Sequence, residues 1–154
     1  MKIRFLLMAI IGICLMMGCH DSNKSDSSRV KEQAALDSNI SLWGSANVSN
    51  YQYTYKAVCF CQIVEDIIVS VVDGEVSEAY YLSSGVYLSE QERNDTYTID
   101  ELFVVIQDAI DAKVEKLDVT YNSSSGYPEY ISIDYDKMIA DDEITYLVKD
   151  FHQN

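Results

Sequence analysis

"DIIVSVVDGEVSEAYYL", residues 66–82, decides the fold of this chain. Ile67 to Val72 is β-branched at every position but Ser70, and branched side chains sit well on a pleated sheet while losing χ1 freedom in a helix. Asp73 and Gly74 then supply two residues that tolerate positive φ, as a tight hairpin turn demands. Glu75 to Leu82 returns as the partner strand, which makes the sheet antiparallel at this point.

Working outward, Tyr51 to Cys61 alternates: Tyr51, Tyr53, Tyr55, Ala57, Cys59 and Cys61 fall on one face, and Gln52, Thr54 and Lys56 on the other. Downstream, Thr98 and Glu101 form a capping box with Tyr97 and Leu102 at the staple positions, which predicts a helix whose apolar stripe is Leu102, Ile106, Ala109 and Ile110. An earlier helix from about Arg29 carries Leu36, Ile40 and Trp43 as its stripe and ends near Gly44. Three further strands follow. Lys116 to Asn122 alternates, Glu129 to Asp136 presents Ile131, Ile133 and Tyr135 together, and Glu143 to Phe151 closes the series.

The two halves share an order, helix then three strands, which suggests divergent duplication. The expected fold class is α+β: two helix-plus-three-strand units in one antiparallel sheet of about six strands, with both helices on one face and the other face wet. Between the halves, "SSGVYLSEQERND" (residues 83–95) is long and polar. It reads as a mobile surface loop, with Gly85, Tyr87, Glu90 and Arg93 as candidate binding residues.

The N-terminus reads as an address. Lys2 and Arg4 precede an uncharged run from Phe5 to Met17, long enough for an export signal and short of the ~20 residues that span a bilayer. "LMMGC" resembles a bacterial lipoprotein signal, which implies cleavage after Gly18 and acylation of Cys19; Met16 stands where leucine is usual. Residues 1–18 are then the signal peptide, 19–28 the lipidated cysteine and a flexible polar tether, and 29–154 a single domain. The expected location is the cell envelope. The absence of Asp after Cys19 resembles the sorting rule for the outer membrane where two membranes exist.

Charge narrows the partners. The chain carries 25 acidic and 11 basic residues, a net −14. Cleavage removes Lys2 and Arg4 and no acid, leaving nine against 25, or −16. Nucleic acid is excluded as a partner, because its phosphates need a basic surface. An acidic solvated surface, or a basic envelope protein, fits.

Export leaves Cys59 and Cys61 in the domain and exposes them to an oxidising compartment. Residues i and i+2 of a strand have α-carbons ~6.6 Å apart, near the upper limit of about 6.8 Å for a disulfide. Closing the pair therefore requires the strand to curl or end there, and the bond would be strained. Free thiols, a soft ion such as Cu(I) and a thiol redox centre are the other readings. Zinc lacks two further ligands, since His20 and His152 lie at opposite ends of the chain. Catalysis through an imidazole meets the same obstacle, so no catalytic residue and no cofactor is expected. "DYDKMIADDE" (residues 134–143) invites a calcium reading and fails it: Met138, Ile139 and Thr145 stand where an EF-hand needs an oxygen ligand, a glycine and a glutamate.

Taken together, "NYQYTY", "CFC", "VDGEV", "TIDELFVVIQDAI", "VTYN" with "GYP", "ISIDYD" and "DDEITYLVKDF" resemble a family of exported bacterial domains, a domain of unknown function numbered six-one-seven-four. The resemblance covers about Trp43 to Phe151. It implies a lipoprotein and no particular activity, substrate or partner. One departure is that Gln62 stands where the family has proline after the second cysteine.

The function expected on these grounds is that of a non-catalytic envelope domain that binds a protein, inhibits one or supports an assembly. The alternative is a thiol redox or Cu(I) module centred on Cys59 and Cys61.

Overall fold

The structure is a computed structural model and describes residues 22–59, 62–63 and 65–154, with the side chains of 22–26 and 62–63 outside that description. The expected signal peptide, residues 1–18, together with Cys19 and Cys61, lies outside the described residues.

Among the described residues seven strands and three helices follow one another as α1 (Ser22–Ala46), β1 (Tyr51–Cys59), β2 (Gln62–Ile63), β3 (Ile67–Val72), β4 (Glu75–Tyr81), α2 (Glu90–Asn94), α3 (Ile99–Ala112), β5 (Lys116–Tyr121), β6 (Pro128–Asp134) and β7 (Ile144–Gln153). The sheet is antiparallel, in the order β4-β3-β1-β7-β6-β5. The short β2 pairs with the end of β1 that β3 leaves free, opposite Val58 and Cys59. The α+β class and the six principal strands are as expected.

The Asp73-Gly74 hairpin forms as its turn chemistry dictates. Asp73 and Gly74 have φ of 53° and 81°, Val72 faces Glu75 across the turn, and Asn50 accepts the Asp73 amide at 2.9 Å. The helix α3 is likewise set by its cap: Thr98 accepts from the Glu101 amide while Glu101 accepts from that of Thr98. Leu102, Ile106, Ala109 and Ile110 are all buried.

Several boundaries differ. The helix α1 is already formed at Ser22, well before Arg29, with Ser28 bonding Glu32 one turn on. Leu36 and Trp43 are buried, but Ile40 is 42% exposed. The underside of the helix meets Gly126 instead, whose neighbours are the Asn39 carbonyl and the Leu42 and Trp43 backbones or stems. Tyr135 also leaves the buried face, because β6 ends at Asp134. Thr54, expected on the wet face, is buried. A bulge opposite it places Asp150 at φ 49°, and the threonine hydroxyl donates to that carboxylate at 3.1 Å.

The core lies between one face of the sheet and the layer of α1 and α3, which touch each other through Gln33 and Gln107. Trp43 packs edge-on against Tyr51, Tyr127 and Phe151, and its indole nitrogen donates to Asp100 at 3.2 Å. The opposite face carries polar pairs such as Gln52 with Ser70 and Lys56 with Asp66. The two units do not superpose as a repeat. Their strands keep the same order across the sheet but run in opposite directions, and a rotation relating them would put the helices on opposite faces.

Candidate binding site beneath the segment after β4

Tyr51, Tyr53 and Tyr55 occupy alternate positions of β1, so their rings form a column on the core face. Each is at most 2% exposed. Successive ring centroids are 5.9 and 6.4 Å apart. The first hydroxyl accepts the Ile99 amide at the start of α3, at 3.0 Å. The second donates to the Tyr97 carbonyl. The third, Tyr55 Oη, is buried and has no hydrogen-bond partner among the described residues. Burial raises the pKa of all three phenols above the ordinary range, and for Tyr55 the Tyr146 and Tyr97 hydroxyls and the Asp95 carboxylate add to it.

Tyr55 lines a cavity of about 520 Å³ at the end of the sheet where β1 finishes, β3 begins and β4 finishes. Ala57 and Ile67 share the sheet side; Ser83, Ser84, Val86 and Leu88 come from the segment after β4. Glu65, Glu92 and Asp95 bring three carboxylates, and Thr96 is buried at the far wall. Among the described lining residues there is no Lys, Arg or His.

The segment from Ser83 to Thr96 is structured, which corrects the expectation of an unstructured mobile loop. Gly85 turns the chain at φ 67°, with its amide on the Tyr81 carbonyl at 2.8 Å. The chain then returns beside β4: the Tyr81 amide donates to Val86 and the Leu88 amide to Ala79, both at 2.9 Å, and Tyr80 bridges Tyr87. Next comes α2, held by a capping box between Ser89 and Glu92 that the sequence reading missed. The signal was present as Ser-x-x-Glu, but it precedes only five helical residues with no apolar stripe. Ser89 and then Tyr81 donate to Glu92 and hold its carboxyl below the usual range.

Of the four residues expected to bind, none is among those lining the cavity. Gly85 makes the turn, Tyr87 is 63% exposed with its ring against Tyr80, and Glu90 and Arg93 lie on α2. The structure instead brings together residues with no shared motif. Cys59 ends β1 two residues beyond Ala57, opposite Gln62 in a tight antiparallel pairing. Cys61, the expected partner of Cys59, lies outside the described residues.

A second acidic group forms where the calcium reading had failed. Ligand oxygens of Asp134, Asp142 and Glu143 lie within 4.8 Å of one another. Burial first, and then Asp142, Glu143 and Glu115, raise the Asp134 pKa, with Lys116 opposing. His152 contacts the Asp150 carbonyl at an exposed end of β7. Among the described residues no helix is long and apolar enough to cross a membrane.

An antiparallel sheet with two helices on one face, and an acidic cavity at one end, defines a small α+β domain built around a closed tyrosine core. The chain belongs to the Family of unknown function (DUF6174), which matches residues 35–153. No curated protein and no solved structure matches it.

Proposed function

We propose that this protein is a non-catalytic binding domain held at the bacterial cell envelope by a lipid on Cys19, and that it docks an envelope protein through the Ser83–Thr96 segment. The observation that carries the reading is that this segment is pinned along β4 while Leu82, Val86 and Tyr87 remain 52–63% exposed beside the cavity. Apolar side chains fixed in an exposed position lose little further entropy when a partner covers them. The net charge favours a basic partner.

A Cys59–Cys61 staple belongs to this reading, supported by the reversal of chain direction between Cys59 and Gln62. Intact mass should rise by about two daltons on reduction, the two hydrogens of a broken disulfide. Uptake of one Cu(I) by the reduced pair would favour the soft-metal alternative instead. For the docking itself, crosslinking in the native envelope should capture a protein that is lost when Ser83–Thr96 is shortened. Capture of nothing by the intact chain would overturn it.

A further inference from the structure

Met138 is 83% exposed and Ile139 56%, side by side in the connection between β6 and β7. The turn itself holds them there. The Met138 amide donates to the Asp136 carboxylate at 2.9 Å, the Ile139 amide to the Asp136 carbonyl at 2.8 Å, and the Asp136 amide to the Asp142 carboxylate at 2.9 Å. Two of the acids are thus turned onto the connection's own backbone, while its two apolar side chains stay in the open. Apolar groups fixed in this way lose little further entropy when a surface covers them.

The start of α1 says which surface. Ser28, Arg29 and Glu32 share a groove with Val114, Glu115 and Lys116. Lys116 in turn faces Asp134, where β6 ends, and Lys137 reaches Glu115 at 3.9 Å. Trp43, near the far end of α1, packs against Tyr51 and Phe151 at the opposite end of the sheet. The helix therefore starts at the end that carries Met138 and Ile139. Residues 22–28, expected as a flexible tether, are helical, and six steps of 1.5 Å carry Ser22 ~9 Å beyond Ser28. Three further steps separate Ser22 from Cys19, at most ~11 Å even when fully extended. An acyl chain on Cys19 thus keeps this end of the domain within about 20 Å of a bilayer, a gap that the connection of residues 135–143 can largely cross.

We infer that Met138 and Ile139 dip into the interfacial layer of the membrane that Cys19 anchors, against zwitterionic lipid, so that the domain stands on the bilayer at two points instead of swinging on its tether. The inference rests on the lipid-anchor reading and adds the pose of the domain. Two apolar side chains are too few to hold a free domain on a membrane, but the anchor makes their contact intramolecular, and a weak contact is then enough. Asp141, Asp142 and Glu143 follow them in the chain and repel anionic headgroups, which selects the zwitterionic ones. Cys59 faces Ile144 at this end of the sheet, where the cavity beside Tyr55 also lies, so a docked protein is met close to the membrane.

The test uses the full chain purified from envelopes, its acylation read by intact mass, in phosphatidylcholine vesicles with and without brominated acyl chains. Met138→Trp should emit at shorter wavelength on the vesicles and lose roughly half its added emission to bromine, because an interfacial side chain sits ~5–10 Å into the headgroup and acyl boundary. Val72→Trp, at a 47% exposed site beside the Asp73-Gly74 turn at the far end of the sheet, should lose none. Buried Trp43 should also be unquenched, and its unchanged emission shows that each variant is folded. Adding Ile139→Asp to the Met138→Trp chain should restore the aqueous emission, and phosphatidylglycerol vesicles should quench less at low salt. Equal quenching of the two introduced tryptophans, or none at Met138→Trp in an acylated chain, would overturn the inference and leave the anchor standing. Stronger quenching by phosphatidylglycerol would overturn the choice of lipid. A mature chain without acyl mass would overturn the anchor and the inference together.

Discussion

The hydroxyl of Tyr51 accepts the amide hydrogen of Ile99 at 3.0 Å, and both residues are fully buried. A strand side chain thus satisfies one of the orphan donors at the start of α3 that the Thr98 cap does not reach. Tyr51→Phe should lower unfolding free energy by about 1–2 kcal/mol, because the amide is left buried and unpaired. Tyr55→Phe removes a hydroxyl with no partner among the described residues, and should change stability by less than about 0.5 kcal/mol or increase it. Urea unfolding of both variants with an unchanged slope decides this. Equal losses would contradict the hydrogen-bond assignments.

Alkaline pH should unfold the protein. The phenols of Tyr51, Tyr53, Tyr55 and Tyr146 are raised, and Tyr121 is pushed up to about 12, in each case first by burial. In the unfolded chain a tyrosine ionises near pH ~10. Below that pH both states are protonated and the full stability is present; above it the unfolded state loses protons first, so stability falls as pH rises. Urea midpoints should decline from pH 9 upward, and phenolate absorbance from these residues should appear together with loss of the sheet signal. Titration of all 12 tyrosines near pH ~10 with structure intact would refute it.

Gly126→Ala should be among the more damaging single changes. Gly126 sits at φ 79°, and a Cβ there would lie 2.5 Å from the Asn39 carbonyl oxygen and 3.2 Å from the Trp43 nitrogen. Both are backbone atoms of α1, which cannot yield as a side-chain tip would. The expected loss is about 2–3 kcal/mol, from positive φ and steric conflict together. Thermal unfolding followed by Trp43 fluorescence measures it.

Lys113→Gly should act in the opposite direction. Lys113 ends α3 in the left-handed region at φ 57°, with its amide bonded to the Ile110 carbonyl. Glycine adopts that conformation without a Cβ penalty, so a gain of about 0.5–1 kcal/mol is expected. A fall in the denaturant midpoint would show that the lysine stem makes contacts that matter more.

Where local chemistry and pattern agree, the fold was legible in the sequence. Asp73-Gly74, the Thr98/Glu101 box and the alternation in β1 each determine their own element with no help from distant residues. Strand order follows less directly, and the suggestion of a repeat fails there: nothing local tells β7 to pair with β1. The cavity was the least legible part. Tyr55 reads as one more alternating core residue, and only the tertiary positions of Tyr97 and Ile99 reveal that its hydroxyl, alone in the column, lacks a partner among the described residues. Ile40 and Tyr135 show the same limit, since periodicity cannot foresee where a turn such as Gly126 will press or a strand will stop.

The two middle strands of the sheet, β1 and β7, come from opposite ends of the domain, and their ladder runs from Tyr51 against Gln153 to Cys59 against Ile144. A ribosome delivers them some ninety residues apart, on the order of 5–20 s at usual synthesis rates. Until the second arrives, the tyrosine ribbon has one bare edge in the middle of what will be the sheet. A nascent chain of this kind stays open to chaperones, and its sheet closes only once β7 has emerged beside β1.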